Sequence, residues 1–269
     1  MFEQRPKVLT FLATLFLWTA DAHGQVTEED DLEAMVAPVT ISQQSRSADT
    51  VKAVELIVEQ TNQFRKQENF EAVATNDDLT EASQYFADYM ARTNKYGHTA
   101  DGQRPAGRAA HYGYDYCIVL ENIAYQYSSR GFATEELAER FVEGWKKSPG
   151  HRKNMLDADV TQTGVAVARS EASGRYYAVQ MFGRPKSELI EFQVMNHSDE
   201  LVEYFIGARS IPLPPNTTMK HQVCRPTKLS FALGSTSKTK EATMHPKPGD
   251  VLLVERNKDG ELNVRLDAR

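Results

Sequence analysis

The stretch Trp145-Lys-Lys-Ser-Pro-Gly-His-Arg-Lys-Asn-Met-Leu156 joins two helix signals with almost no spacer. Apolar residues recur at steps of three and four over residues 137–145, which predicts a helix with one buried stripe. Thr134 is expected to be the N-cap of this helix. Ser148 is expected to cap the next helix, because Pro149 follows it at the first helical position.

Further elements are predicted on both sides of this stretch. Helical spacing of apolar residues predicts one helix from near Val51 and a second just after Asp78. Two alternating apolar runs, 164–168 and 176–182, predict strands, and the turn Glu171–Gly174 between them indicates a hairpin. The pattern is that of a mixed α/β domain.

The character of the sequence changes after Pro185. Short β-type runs separated by turn clusters such as Pro212–Asn216 predict a small all-β sandwich or barrel. These runs are 189–195, 203–206, 228–233, 251–254 and 262–266. We therefore predict two domains, residues 49–185 and residues 186–269.

The N-terminal region has the layout of an export signal. Basic residues precede the apolar run Val8–Trp18, which is too short to span a bilayer, and Ala20-Asp-Ala22 offers the small residues of a cleavage site. Residues 1–22 are expected to be a signal peptide. Residues 23–48 are polar and acidic, which is typical of a flexible tether. We expect a secreted or periplasmic protein that keeps no transmembrane anchor after cleavage.

Composition excludes some functions. The 269-residue chain is 41% hydrophobic, so it can bury a sizeable core, and its formal net charge is −6. An acidic chain without a basic run argues against a nucleic-acid partner. Cys117 and Cys224 are the only cysteines. They allow one disulfide in an exported protein, and two separate buried thiols are the alternative.

Three segments carry the residue types of a reactive or binding site. The segments are Tyr96–Gly102 with its continuation through Arg108 to Tyr114, Glu121–Ala124 and Trp145–Leu156. They supply His98, Glu121 and His151, and their order and spacing resemble the CAP superfamily, which includes cysteine-rich secretory proteins, antigen 5, pathogenesis-related 1 proteins and bacterial relatives. Asn62 and Arg65 match a further family element. The resemblance covers roughly residues 50–185.

The resemblance implies a three-layer α/β/α CAP sandwich, here followed by a small all-β C-terminal domain. It also implies a cleft that gathers two histidines and two acidic residues. His98, His151 and Glu121 carry over, whereas Ser148 stands where many members have the second acid. The expected cleft is therefore His98, Glu121, His151 and Ser148.

Two imidazoles and a carboxylate are the ligand set of an open zinc site, so His98 and His151 are candidate zinc ligands with Glu121 as the third. The alternative is structural, with Glu121 bonded to His151 or to a backbone amide. The chain has no His-Glu-x-x-His helix that would hold two histidines rigidly. No cofactor is expected to be required.

The same residues allow other chemistries. Ser148, His151 and Glu121 could form a serine-hydrolase triad, but Ser148 is better explained as a helix cap. Tyrosines near the motifs fit either a lipid groove or ordinary core packing. These are Tyr112, Tyr114, Tyr116, Tyr125 and Tyr127. Met219, His221, Cys224, Met244 and His245 include the soft ligands of a copper site, although their order is unusual for one.

The leading hypothesis is a non-enzymatic exported protein that binds a lipid, a peptide or a cell-envelope glycan in the His/Glu cleft. The first alternative is a metal-assisted hydrolase, most simply a peptidase. The second alternative is an adhesion module that acts through residues 186–269.

Overall fold

The structure is a computed structural model that describes residues 46–234 and 240–267. The expected signal peptide and nearly all of the expected tether lie outside the described residues. Within them, no helix has both the length and the apolar composition needed to cross a membrane. The described residues fall in one compact unit.

The N-terminal part alternates helices with the strands of one sheet. The helices are α1 (Thr50–Gln67), α2 (Asp77–Thr93), α3 (Pro105–His111), α4 (Thr134–Lys147) and α5 (Pro149–Met155). The strands are β1 (Ala74–Thr75), β2 (Tyr116–Gln126), β3 (Gln162–Arg169) and β4 (Tyr176–Pro185), in the spatial order β1-β3-β4-β2. Strand β1 runs parallel to β3, and the other pairs are antiparallel. In this order β2 lies at an edge of the sheet.

Helices cover both faces of this sheet. Alternation along β3 sends Val165 and Val167 to the face packed by α1, α4 and α5, and Ala166 and Ala168 to the face packed by α2 and α3. Two separate apolar clusters result, one on each side of the sheet. The expected three-layer α/β/α sandwich is confirmed.

Helix α2 approaches the sheet closely at Gly164. A Cβ atom added at Gly164 would lie 2.2 Å from the carbonyl carbon of Leu79, so only glycine fits at this point of β3. The hydroxyl of Ser83 donates to the carbonyl of the same glycine at 3.0 Å. Backbone contact thus sets the spacing between α2 and the sheet.

Two helix caps differ from expectation. Helix α4 is capped by Ala133 rather than Thr134, because the Thr134 hydroxyl accepts the backbone N–H of Asp49 at 3.0 Å and so ties α4 to the start of α1. Ser148 does occupy the N-cap position of α5, but its hydroxyl makes no capping hydrogen bond. Pro149 and chain geometry, rather than a side-chain cap, start α5.

The C-terminal part consists of two four-stranded sheets. One sheet has the order β10-β9-β6-β7 and the other β12-β11-β5-β8. Their strands are β5 (Ile190–Asn196), β6 (Val202–Ile206), β7 (Arg209–Leu213), β8 (Thr217–Val223), β9 (Leu229–Leu233), β10 (Lys240–Met244), β11 (Val251–Arg256) and β12 (Leu262–Leu266). Residues from both sheets share one apolar cluster, so this part is a β-sandwich, in agreement with the predicted all-β architecture.

Strand β7 corrects the sequence analysis. The sequence predicts a turn at Pro212, yet this residue pairs with Glu203 inside β7. Proline fits there because β7 is an edge strand, where a residue without an N–H leaves no ladder bond unmade. Strands β8 and β10 also lie at sheet edges, and the sequence does not predict them. Exposed edge strands lack the strong apolar alternation by which a strand is recognised in the sequence.

A disulfide and an ion-pair cluster link the sandwich of sheets to the α/β/α part. Cys117 of β2 and Cys224, just after β8, are bonded with their Cα atoms 5.4 Å apart. The next residue, Arg225, donates to both carboxylate oxygens of Asp157 at 2.9 Å and to Asp159 at 2.6 Å. Burial raises the pKa of Asp157, but the hydrogen bonds from Arg225 and from the Asp159 amide outweigh it, so the net pKa is lowered.

The double substitution Cys117→Ser/Cys224→Ser is expected to lower the free energy of unfolding by about 2–5 kcal/mol, because the bond closes a long loop in the unfolded chain. The two cysteines are 107 residues apart in sequence. Urea denaturation of the oxidised wild type and the double variant measures the difference. Reduced wild type is the matched control and should behave like the variant, whereas three coincident curves would contradict the prediction.

Candidate functional site

The loop between α2 and α3 carries His98, and a buried arginine holds this loop in place. Arg108 of α3 donates through Nη2 to the carbonyl of His98 at 2.9 Å. Its Nη1 donates to the Asp101 carboxylate at 2.8 Å and to the carbonyl of Gln103 at 3.0 Å. The His98 loop is therefore fixed at three points by one guanidinium.

Glu121 of β2 is fully engaged by two partners. Its Oε1 lies 2.7 Å from Nδ1 of His98, and its Oε2 accepts from Nη2 of Arg108 at 2.6 Å. The Glu121 side chain is 1% exposed, whereas that of His98 is 50% exposed. The alternative in which Glu121 bonds His151 or a backbone amide is wrong about the partners, because its two oxygens are bonded to His98 and Arg108.

Arg108 lies in the first of the three sequence segments, but the sequence analysis assigns it no role. Its side chain is completely buried between the carboxylates of Asp101 and Glu121, and its Cζ lies 3.5 Å from the centroid of the Phe86 ring. A cation over an aromatic face and between two carboxylates is stabilised from several directions. The available signal was an arginine seven residues after Asp101 in a short helix of otherwise small residues.

His151 approaches the edge strand from the opposite side of the sheet. It lies in α5, which packs with α1 and α4, and its ring is partly buried. Burial, and then the nearby His98, lower the pKa of His151. The neutral imidazole is therefore favoured at neutral pH, where it can both donate and accept a hydrogen bond.

A chain of buried side chains holds α5 against the sheet. Asn154 donates to the side chain of Asn122 at 3.0 Å, and Asn122 donates to Gln180 at 3.3 Å and to the carbonyl of His151 at 3.2 Å. Gln180 in turn donates to the hydroxyl of Thr61 in α1 at 2.9 Å. Because Asn122, Gln180 and Thr61 are completely buried, these bonds fix the backbone of His151 against the sheet.

Two side chains donate hydrogen bonds to backbone carbonyls of β2 near the two histidines. Asn154 donates to the carbonyl of Glu121, and the hydroxyl of Tyr96 donates to the carbonyl of Ile123, each at 3.1 Å. The Tyr96 ring meets Tyr125 edge to face with 5.2 Å between centroids. The cleft therefore runs along the edge of β2, between the His98 loop and α5.

Ser148 lies at the start of α5 but forms no hydrogen bond with His151 among the described contacts. Glu121 is bonded to His98 and Arg108 instead of His151, so the three residues of the hypothetical serine-hydrolase triad are not linked. The geometry offers neither a nucleophile–base bond nor an oriented base. The structure does not support the triad.

The expected three-ligand zinc site does not fit the donor set. Both oxygens of Glu121 are occupied, and the described residues contain no cluster of three metal-binding side chains. Within the described part of the chain, the imidazoles of His98 and His151 are the side-chain ligands that the cleft offers. Glu121 instead orients His98 through Nδ1, which leaves the Nε2 atom of His98 as its remaining ring nitrogen.

The other predicted site residues are dispersed. Cys224 is part of the disulfide and is not a copper ligand, and His221 is bonded to the hydroxyl of Tyr204. Of the tyrosines near the motifs, Tyr114 is buried and bonded to Gln162, whereas Tyr125 and Tyr127 are exposed. The tyrosines thus do not form one continuous apolar groove.

Similarity to known proteins agrees with this geometry. Residues 58–182 match the family model for CAP, the cysteine-rich secretory protein family. This part of the chain is a CAP domain. The matched range begins in α1 and ends in β4, so the CAP domain contains His98, Glu121 and His151 together with the buried Arg108.

Relatives of the CAP domain include bacterial proteins. The uncharacterized protein YkwD of Bacillus subtilis is 25% identical over 174 residues, which cover 62% of this chain and 63% of that protein. An outer surface protein of Borrelia burgdorferi is 19% identical, with a TM-score of 0.45 over 52% of this chain and 98% of its own. An extracellular SCP-domain protein of Bacillus anthracis is 24% identical, with a TM-score of 0.43 over 50% of this chain and 41% of its own. The chain thus spans less than two thirds of the curated relative.

The substitution Arg108→Met is expected to lower the free energy of unfolding by about 3–5 kcal/mol, because it leaves two buried carboxylates without their counter-ion. Urea denaturation measures the change. Arg92→Met, which removes an exposed arginine of α2, is the matched control and should cost far less. Equal losses in the two variants would show that the buried cluster is not a stabilising centre.

The lowered pKa of His151 predicts a pH dependence of stability. As pH falls below about 6.5, the unfolded chain binds a proton at this position before the folded chain does, so the folded state loses stability until its own lowered pKa is passed. His151→Gln should flatten that part of the profile. Unfolding midpoints between pH 5 and 8 test this, with His111→Gln as the control for loss of one imidazole. Superimposable wild-type and His151→Gln profiles would refute it.

Proposed function

We propose that this protein is exported and that its CAP domain binds a cell-envelope glycan without catalysing a reaction. The observation that supports this most directly is the complete engagement of Glu121 by His98 and Arg108. Both oxygens of this carboxylate are already hydrogen-bonded, and the bond to Nδ1 gives Glu121 the role of orienting the His98 imidazole. What the cleft presents to a ligand is the His98 imidazole, oriented by Glu121, and the partly buried His151 imidazole, beside tyrosine rings.

A glycan fits these features better than an extended peptide does. A peptide would most simply bind an edge strand by adding a strand to it. At β2, however, Asn154 and Tyr96 already occupy the carbonyls of Glu121 and Ile123. Imidazole nitrogens and the half-exposed ring of Tyr96 instead offer the hydrogen bonds and the flat face that a sugar uses.

A depression whose lining contains none of the cleft residues does not suit a lipid. A depression of about 350 Å³ between α1 and α4 is lined mainly by glutamine and glutamate side chains, with Phe64 as the only large apolar residue among the described residues that line it. Burying an acyl chain there would remove water from these polar groups without replacing their hydrogen bonds. The exposed tyrosines near β2 are separate from this depression.

Binding of the full chain to an array of bacterial cell-envelope glycans tests the proposal. His98→Gln and His151→Gln should each weaken binding to the glycan that the wild type selects by about tenfold, the effect of roughly 1.4 kcal/mol of lost hydrogen bonding. His111→Gln, an exposed position on α3, is the matched control and should bind normally. Wild-type binding in both cleft variants would remove the cleft as the binding site.

Metal-assisted hydrolysis by His98 and His151 is the alternative that the same variants address. It requires zinc bound in a one-to-one ratio at neutral pH and turnover of a peptide or ester substrate. Elemental analysis of the purified protein and assays with added zinc would detect both. Zinc-dependent turnover that disappears in His98→Ala/His151→Ala would replace the binding proposal with the hydrolase.

An adhesive role of residues 186–269 is the remaining alternative. Removing these residues leaves Cys117 without its partner, so the truncation needs Cys117→Ser as well. Glycan binding that survives in this truncated variant would place recognition in the CAP domain. Complete loss in a variant that is still folded would assign recognition to the sandwich of sheets.

A further inference from the structure

A second cavity, of about 380 Å³, has neither His98 nor His151 in its lining. It lies where the β3–β4 hairpin, the loop between β2 and α4 and the residues just before α1 come together. Arg46 and Arg169 line it, and none of the described residues that line it is acidic. In a chain with a net charge of −6, this is a local concentration of positive charge.

Backbone geometry fixes Arg46 at the rim of this cavity. Its N–H donates to the carbonyl of Arg130 at 3.1 Å, and its carbonyl accepts the N–H of Phe132 at 3.2 Å. Between these two bonds lies Gly131, at φ +70°, where an added Cβ would come within 1.7 Å of the Arg46 carbonyl oxygen. Only glycine permits this approach, so the loop is shaped to hold Arg46.

Two further bonds fix the segment that follows Arg46. The N–H of Ala48 donates to the hydroxyl of Tyr176 at 3.2 Å, and the N–H of Asp49 donates to the hydroxyl of Thr134 at 3.0 Å. The second bond brings the N-terminal ends of α1 and α4 together at the same end of the domain.

Ion pairing of the two arginines is weak among the described residues. The guanidinium of Arg46 has no ion-pair partner within the described ranges. Arg169 has one, Glu171, at 3.4 Å, and the side chain of Glu171 is 89% exposed. An exposed pair of this length contributes little stability, so an anion can displace it at small cost.

The rest of the lining suits a sugar. Hydroxyl groups come from Ser47, Ser129 and Ser173, and the Ser173 hydroxyl donates to Asn94 while its oxygen can still accept. The Tyr127 ring is 60% exposed and packs against Gly174 of the hairpin. Serine hydroxyls match sugar hydroxyls, and an exposed tyrosine offers a flat surface for a sugar ring.

We propose that this cavity binds an acidic sugar, one that carries a phosphate, sulfate or carboxylate group. The acidic group lies between Arg46 and Arg169, whose forked donors match such oxyanions, and the sugar ring lies against Tyr127. The site uses none of the cleft residues. It therefore goes beyond the proposed function and stands independently of it.

Titration of the full chain with glucose 6-phosphate, followed by NMR, tests the proposal. Arg46→Gln/Arg169→Gln should weaken binding at least about tenfold, since both charge-assisted contacts are lost. Arg92→Gln/Arg209→Gln removes the same charge from exposed positions elsewhere and should bind like the wild type. Tyr127→Ser should weaken binding of glucose 6-phosphate and leave binding of inorganic phosphate unchanged.

Three results would overturn the proposal. Equal weakening in the two double variants would show that the loss of binding comes from the change in net charge and not from a site at Arg46 and Arg169. If inorganic phosphate binds as tightly as glucose 6-phosphate, the site recognises the phosphate group and not the sugar. Loss of glucose 6-phosphate binding in His98→Gln/His151→Gln would place the ligand in the cleft, whereas unchanged binding there confirms a separate site even if the cleft binds no glycan.

Discussion

The guanidinium of Arg108 is buried with the carboxylates of Asp101 and Glu121 and covers the face of Phe86. Two carboxylates could not be buried here without a cation, because an unpaired charge in the protein interior costs several kcal/mol. The same guanidinium bonds the His98 carbonyl, so the position of the loop follows from the position of α3. The cleft depends on this one charged cluster.

The cluster also gives Glu121 a positioning role. Its carboxylate is bonded to Arg108 and to Nδ1 of His98, so it orients the His98 imidazole. The backbone of His151 is fixed independently, through the buried amides of Asn122 and Gln180, which link α5 to α1 on the same face of the sheet. The two imidazoles lie beside an edge strand whose outward carbonyls are already hydrogen-bonded, and this arrangement is the basis of the binding site that we propose. The proposed acidic-sugar site lies elsewhere on the same domain.

The disulfide and Arg225 give the sandwich of sheets a defined connection to this domain. Cys224 and Arg225 are adjacent in sequence, and they contact β2 on one side and the loop after α5 on the other. That loop also binds Arg65, which donates to the carbonyls of Met155 and Asp157 at 2.7 and 3.0 Å. The segment after His151 is therefore stabilised both from within the CAP domain and from outside it.

The sequence by itself determined the long helices, the β3–β4 hairpin, most strands of the sandwich and the three segments that carry His98, Glu121 and His151. These features follow from local periodicity and turn residues, which act over a few positions. Only the tertiary structure decided the partner of Glu121, the pairing of Cys117 with Cys224 and the gathering of Arg46 with Arg169. Each of these joins residues from separate elements, and no local pattern records which buried charge, thiol or loop will meet which. Pro212 shows the same limit, because a proline that ends a strand and one that lies in an edge strand look alike until the neighbouring strand is known.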